Sequence, residues 1–306
     1  MPAGTLRTRP RLIESRQNPR VKELRAALAR TGRTPEGLIA IEGEHLVSEA
    51  MRSQLRFAAV FLCEGYQPET ELPQDAKHLL LPADVFRSAI ATEQPQGIAA
   101  LVHPPAFSTD AIFRAAVPLI LVLAGLQDPG NVGTLLRSAE AFAASGVLLL
   151  PGTASPWNPK TLRASAGSAF RMPTITASET EALDLLTEHN IPAIAAVAHA
   201  GIPISEAPLT GACALLIGNE GAGLSDTLLA AAVQRVTIPM PGNVESLNAA
   251  IAGSLLLYEA ARQRAREAAR QRAPQQPLSS RLERSEMEGS AGLPAPATTR
   301  RRPTKP

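Results

Sequence analysis

Residues 119–139 read LILVLAGLQDPGNVGTLLRSA, and the order of residue types in this stretch sets the class of fold. Leu119–Ala124 is an unbroken apolar run without alternating polar positions, which suits a strand covered on both faces, as in a parallel sheet with helices on each side. Pro129, Gly130 and Gly133 then make a turn, and a helix is expected over Val132–Ala144. The same alternation continues outward. Short apolar runs at Val147–Leu150, Ala193–Val197, Cys213–Ile217 and Val236–Ile238 are separated by helical stretches at Thr161–Ala166, Glu179–His189, Asp226–Ala232 and Leu247–Arg264. Strands and helices in alternation predict an α/β domain on a parallel sheet, over 118–266.

Upstream, a smaller α/β unit is expected over 11–103. Its helix at Pro19–Arg30 starts with Asn18 as N-cap and Pro19 in the first helical position. A strand at Leu38–Ile41, a helix at Glu44–Met51, strands at Phe57–Cys63 and His78–Leu81, a short helix at Ala83–Ala89 and a strand at Gly97–Val102 follow. Prolines from His103 to Phe107 mark a linker, taken as 104–117. Residues 1–10 and the basic, Pro-rich tail 267–306 are expected to lack fixed structure, although the last helix has the composition to run on to Arg272. Large apolar side chains are too few there to offset the entropy of ordering.

With 45% hydrophobic but only 3% aromatic residues, the cores must be built from Leu, Ile, Val and Ala. The net charge of +2 hides an asymmetry: residues 1–40 hold nine Arg or Lys against three Glu, and residues 262–306 hold eleven against four. Basic ends favour a polyanionic partner, because each cation set on a phosphate releases a counterion. No apolar run approaches the roughly 20 residues of a membrane span, and no apolar segment follows the basic N-terminus as in a secretory signal. Cys63 and Cys213 stand alone in apolar runs, as in a protein of the reducing cytoplasm. The five histidines are scattered, so no metal site is expected. Trp157, in Pro156-Trp-Asn-Pro159 ahead of Lys160 and Arg163, reads either as a base-stacking residue or as a loop anchor.

Three motifs carry chemistry. In the first, Asn131 and Arg137 stand six residues apart across the strand–turn–helix, where both can face the carboxyl edge of the sheet. In the second, Leu216-Ile-Gly-Asn-Glu-Gly-Ala-Gly-Leu-Ser225, Gly218 lets a flat ligand approach the backbone. Glu220 there is a carboxylate carried directly after a buried strand, and Ser225 is a natural N-cap. In the third, Val236-Thr-Ile-Pro-Met-Pro-Gly-Asn-Val-Glu-Ser-Leu-Asn-Ala-Ala250, a Pro-rich turn leads to Ser246, Leu247 and Asn248 at the start of a long helix, with Ser246 as the simplest N-cap. The GxGxxG fingerprint of a nicotinamide enzyme is absent.

In order and spacing, Asn-x-Gly-x₃-Arg, Gly-Asn-Glu-Gly-x-Gly-Leu and Ile-Pro-Met-x₅-Ser-Leu-Asn resemble the motifs of the SpoU (TrmH-like) branch of the SPOUT methyltransferases. Ser15-Arg-Gln-Asn-Pro-Arg-Val-Lys22, Glu42-Gly-Glu-His-Leu46 and Pro95-Gln-Gly-Ile98 are similar to the RNA-binding α/β/α sandwich often fused ahead of that domain. The resemblance implies a deep C-terminal trefoil knot, a homodimer, and transfer of a methyl group from S-adenosylmethionine to a ribose 2′-hydroxyl, of ribosomal RNA in first place and of transfer RNA as the alternative. It implies Gly218, Ile238, Leu247, Leu216 and Met240 around the methyl donor. Arg137, with Asn131, Glu220, Ser246 and Asn248, would stand at the reacting ribose, while Arg20, Lys22, Arg25 and Arg163 are the candidate RNA contacts. A non-catalytic RNA-binding protein of the same fold is the competing reading, and the intact polar residues weigh against it.

Overall fold

A computed structural model describes residues 10–90, 92 and 94–272. The ends expected to lack fixed structure lie outside these residues, except Pro10 and 267–272. The first half holds β1 (Arg11–Leu12), α1 (Pro19–Ala26), β2 (Ile39–Glu42), α2 (Glu44–Arg52), β3 (Phe57–Cys63), β4 (Lys77–Leu81), α3 (Ala83–Ala89) and β5 (Ile98–Val102). Asn18 caps α1 by accepting from the Arg20 N–H, as its sequence requires. The strands form one mixed sheet in the order β1-β4-β3-β5-β2. Side chains alternate across a strand, and here both faces are apolar. Ile39, Ile41, Val60, Leu62 and Ile98 join the cluster that contains α2. Ala40, Ala59, Phe61, Ala99 and Leu101 join the one containing α1 and α3. Helices therefore cover both sides, giving the expected α/β/α sandwich.

The second half runs α4 (Thr109–Phe113), β6 (Leu119–Leu123), α5 (Pro129–Ala141), β7 (Gly146–Leu149), α6 (Pro159–Ser165), β8 (Thr174–Thr176), α7 (Glu179–Glu188), β9 (Ala193–Ala196), β10 (Ile202–Pro203), β11 (Cys213–Ile217), α8 (Asp226–Ala231), β12 (Gln234–Thr237) and α9 (Ala249–Arg272). All neighbouring strands pair in parallel, in the order β10-β12-β9-β11-β6-β7-β8. Strands β8 and β10 were not expected, being too short to show a period. Helix α4 lies inside the stretch read as a linker and buries Ile112 and Phe113. Helix α5 begins three residues earlier than expected, because Asp128 caps it through the Gly130 N–H at 3.1 Å and Pro129 fits the first turn.

One face of each sheet belongs to a single apolar cluster. It runs from Ile41 and Val47 through Trp157, Ala169 and Phe170 to Leu121, Leu123 and Leu135. Trp157 is buried and works as an anchor rather than as an open stacking face. A charged clamp reinforces the junction: Arg171 donates to Glu49 of α2 at 2.7 Å and to Glu140 of α5 at 2.5 Å. The guanidinium holds the Glu140 carboxyl below the usual carboxylate range. Lone histidines serve the fold, His189 stacking on Phe113 at 4.0 Å and His78 meeting the Pro73 carbonyl at 2.9 Å. Among the described residues no helix is long and apolar enough to cross a membrane.

Arg264 fastens α9 to the amino ends of β6 and β11. Its guanidinium donates to the carbonyls of Leu209 (3.1 Å), Val117 (3.0 Å), Pro118 (3.2 Å) and Gly211 (2.6 Å). Arg264→Ala is expected to lower stability by about 2 kcal/mol, read by urea denaturation. Lysine, which cannot reach as many carbonyls, should restore less than half. At the end of β2, burial pushes the Glu42 carboxyl up, against the Thr92 hydroxyl and the Arg163 charge. A raised carboxyl stabilises the fold below its ordinary value, and that contribution is lost as pH rises through the folded value. Glu42→Gln should therefore raise the melting temperature at pH 8 and change it little at pH 4, by calorimetric scans at the two pH values.

Candidate active site

From β6 the chain fills β7 and β8 on one side, then crosses to β9, β11 and β12 on the other. Open parallel sheets bind ligands outside the carboxyl ends of the strands near such a reversal. A cavity of about 370 Å³ opens there, at the ends of β9, β11 and β12. Val197, Leu224, Ile238 and Leu256 give it apolar walls, and Gly218, Met240, Ser246 and Leu247 also line it. Its volume lies in the roughly 300–1,000 Å³ range of small-molecule sites.

The glycine loop is shaped by its own backbone. A Cβ on Gly218 would lie 2.4 Å from the Gly223 carbonyl carbon. Asn219 and Gly223 exchange backbone hydrogen bonds at 3.1 and 3.0 Å. The Asn219 side chain accepts from Gly221 and Ala222 at 2.9 and 3.0 Å and donates to the Gly125 carbonyl at 2.8 Å. Gly218 is thus required first by the close return of this loop and only then by any ligand. Gly133, read as a turn residue, sits inside α5, where a Cβ would come within 2.4 Å of the Thr161 carbonyl on α6.

Three chain-distant segments meet in one polar relay. Asn248 caps α9, its Oδ1 accepting from the N–H groups of Ala250 (3.0 Å) and Ile251 (3.3 Å). This corrects the expectation of Ser246 as cap, since the helix starts at Ala249 and only Asn248 stands directly before it. With its oxygen committed, Asn248 donates through Nδ2 to Oδ1 of Asn131 at 3.1 Å. Asn131 in turn donates through Nδ2 to Glu220. Glu220, Asn248 and Ser246 are exposed and Asn131 half-buried, so the relay lies at the surface beside the cavity.

Other expected residues fall elsewhere. Leu216 is fully buried in the cluster on the opposite face of the sheet, with Ile120 and Val122, and does not line the cavity. The period of a strand puts its neighbour Ile217 there instead. Arg137 is exposed on α5, outside the lining residues, and makes no hydrogen bond or ion pair among the described residues. Lys22 and Arg163 are exposed. Arg20 is paired with Glu23 at 2.7 Å. Arg25 is spent on structure, donating to the Ser88 carbonyl at 2.6 Å and hydroxyl at 3.0 Å. Ala196, Val197 and Ala198 line the cavity yet carry no motif, and only their place at the end of an apolar strand pointed to them. Asp128, at the mouth of α5, is held below the usual carboxylate range by Lys160 at 2.6 Å and by the Gly130 N–H.

An apolar cavity at the carboxyl ends of a parallel sheet, with a few convergent polar groups at its edge, is the usual form of a small-molecule site in α/β proteins. Comparison with known proteins makes the class definite. Residues 118–258 match the SpoU rRNA Methylase family and residues 18–100 the MRM3-like substrate binding domain. The chain is 34% identical to the 23S rRNA (guanosine(2553)-2′-O)-methyltransferase RlmP of Bacillus subtilis, over 80% of this chain and 97% of the relative. It is 31% identical to a 23S rRNA (uridine(2479)-2′-O)-methyltransferase of Streptomyces viridochromogenes, over 83% of this chain and 93% of that one. The crystal structure of the SpoU methyltransferase AviRb from Streptomyces viridochromogenes, in complex with AdoMet, superposes with a TM-score of 0.73 at 28% identity, covering 81% of this chain and 99% of that one. The chain belongs to the SpoU rRNA methylase family.

The two duties of Asn248 are separable. Asn248→Ala should lower stability by about 1 kcal/mol through loss of the cap. Asn248→Asp, which keeps a capping oxygen but has no N–H to give Asn131, should keep stability and still lower activity. Urea melts and a methyl-transfer assay on the same samples check both.

Proposed function

We propose that the protein transfers a methyl group from S-adenosylmethionine to a ribose 2′-hydroxyl of ribosomal RNA in the cytoplasm. The observation that carries this reading is the relay Asn248–Asn131–Glu220 beside an apolar cavity built from the second and third motifs. The residues present suit the donor: the cavity is narrow and apolar, and the backbone at Gly218, Ile238 and Leu247 borders it. When bound there, the donor supplies an activated methyl on a sulfonium. Alignment and one weakly acidic proton are then what the protein has to manage. Asn131, Glu220 and Ser246 would orient the ribose. A guanidinium offers five N–H donors and no acceptor, so Arg137 is assigned as a clamp on the adjacent phosphate that lowers the hydroxyl pKa.

Arg137 is exposed and outside the lining of its own chain's cavity, which supports a homodimer in which it serves the partner's site. Ile251, Leu255 and Tyr258, 53%, 41% and 51% exposed, form one stripe on α9 at helical spacing. That helix packs on α5, with Ser138 and Ser254 hydrogen-bonded at 2.7 Å and Phe142 edge-on to Tyr258 at 5.8 Å. An interface on this stripe would therefore run beside Arg137. The reading also includes a deep C-terminal trefoil knot, with α9 held by Asn248 at its start and by the four carbonyls that accept from Arg264 further along.

Mapping of 2′-O-methyl positions in RNA from cells with and without this gene tests the function: one ribosomal site should disappear, and an unchanged ribosomal map would overturn it. Arg137→Ala should lower turnover by about 100-fold, with donor affinity by calorimetry within twofold of the parent. Leu255→Glu should turn the dimer into a monomer in sedimentation and abolish transfer.

A further inference from the structure

The backbone at the end of β6 runs out of strand partners one residue before it reaches the site. Ala124 still donates to the Ile217 carbonyl at 2.9 Å. Gly125 lies beyond the last paired residue of either neighbouring strand, and the chain turns there with φ +70°. Its N–H and carbonyl therefore need partners from outside the sheet. Two side chains from different loops supply them. The Thr153 hydroxyl, on the loop after β7, accepts from the Gly125 N–H at 3.0 Å and donates to the Leu123 carbonyl at 2.9 Å. The Asn219 amide donates to the Gly125 carbonyl at 2.8 Å.

The other end of Asn219 shapes the donor cavity. Its oxygen accepts from the N–H groups of Gly221 and Ala222 at 2.9 and 3.0 Å, and Gly218, Gly221 and Gly223 all line that cavity. Three glycines give this loop wide conformational freedom, so its shape needs ties from outside. One planar amide provides such a tie, closing the loop with its oxygen and fastening it to Gly125 with its nitrogen. Neither Gly125 nor Thr153 lines the cavity. The loop that carries Thr153 is itself well anchored. Ala154 donates to the Leu126 carbonyl at 2.7 Å, and Trp157 is buried in the apolar cluster shared by both halves. A Cβ on Gly32 of the first half would come within 1.8 Å of the Trp157 carbonyl oxygen.

We propose that Thr153 is a positioning residue for the methyl donor, its hydroxyl acting through Gly125 and Asn219 to hold the glycine loop in the shape that seats the donor. This rests on the methyltransferase reading and adds a residue that lies outside the three motifs. It also gives the packing of the loop after β7 on the first half a consequence for the donor, because the fixed end of the bridge is set there.

The test uses the full-length protein, with S-adenosylmethionine alone as the calorimetric ligand. Thr153→Val, close in shape but without the hydroxyl, should raise the donor Kd by about five- to tenfold, the effect of one neutral hydrogen bond. Its KM for RNA and its kcat at saturating donor should stay within about twofold. Thr153→Ser should restore the parent Kd. Asn219→Asp keeps the oxygen that closes the loop but has no N–H for Gly125, so adding it to Thr153→Val should weaken binding by less than the product of the two single effects. Amide hydrogen exchange reads the loop with no ligand present. In Thr153→Val, Gly221, Ala222 and Gly223 should exchange about tenfold faster while the amides of α1 are unchanged, and serine should reverse this. A donor Kd unchanged in Thr153→Val, a loss that serine does not reverse, or fully multiplicative effects in the double variant would overturn the proposal and leave the hydroxyl a local structural bond. If the parent protein binds no donor, the methyltransferase reading fails, while the exchange rates still decide whether Thr153 holds the loop.

Discussion

Asn248 has one carbonyl oxygen and one amide nitrogen, and both are committed. The oxygen closes the first turn of α9, where two backbone N–H groups would otherwise lack acceptors. The nitrogen is thereby turned outward to Asn131, whose own amide is then fixed with its N–H toward Glu220. Capping a helix, an obligation of any long helix, thus sets the direction of a hydrogen-bond chain through three segments far apart in sequence. The loops that carry the cavity hang from these segments. This chain of donors ties those loops to one another.

The scaffold beneath the relay is rigid for a simple reason. Both sheets contribute one face to the same apolar cluster, so neither half can shift without opening contacts in a core of almost exclusively aliphatic side chains. Glycines mark the places where backbone meets backbone: Gly133 against α6, Gly218 against Gly223, Gly32 against Trp157. A methyl group at any of these positions would push apart elements that carry site residues. The Arg171 clamp adds a charged tie between α2 and α5, joining the first half to the helix that holds Asn131 and Arg137.

A composite surface of this kind suits an enzyme that must choose one ribose among thousands with identical chemistry. The reacting group itself carries little information, so selection has to come from binding far from it.

Much of this was legible in the chain. The parallel sheet follows from apolar runs at Leu119–Ala124 and Cys213–Ile217, since strands covered on both faces cannot alternate. The N-caps Asn18 and Ser225 could be read because capping is local chemistry, and the second and third motifs located the cavity. Assignments that depend on partners distant in sequence could not be read. Leu216 faces the wrong side of the sheet, Ser246 yields the cap to Asn248, Arg25 is spent on Ser88, and Gly133 serves the approach of α6. Arg137 is exposed and does not line the cavity of its own chain. Residue types and spacing determine which elements form and where polar groups concentrate. Which face a side chain takes, and which neighbour claims its donors, is decided only when separate segments compete for the same space and the same hydrogen bonds.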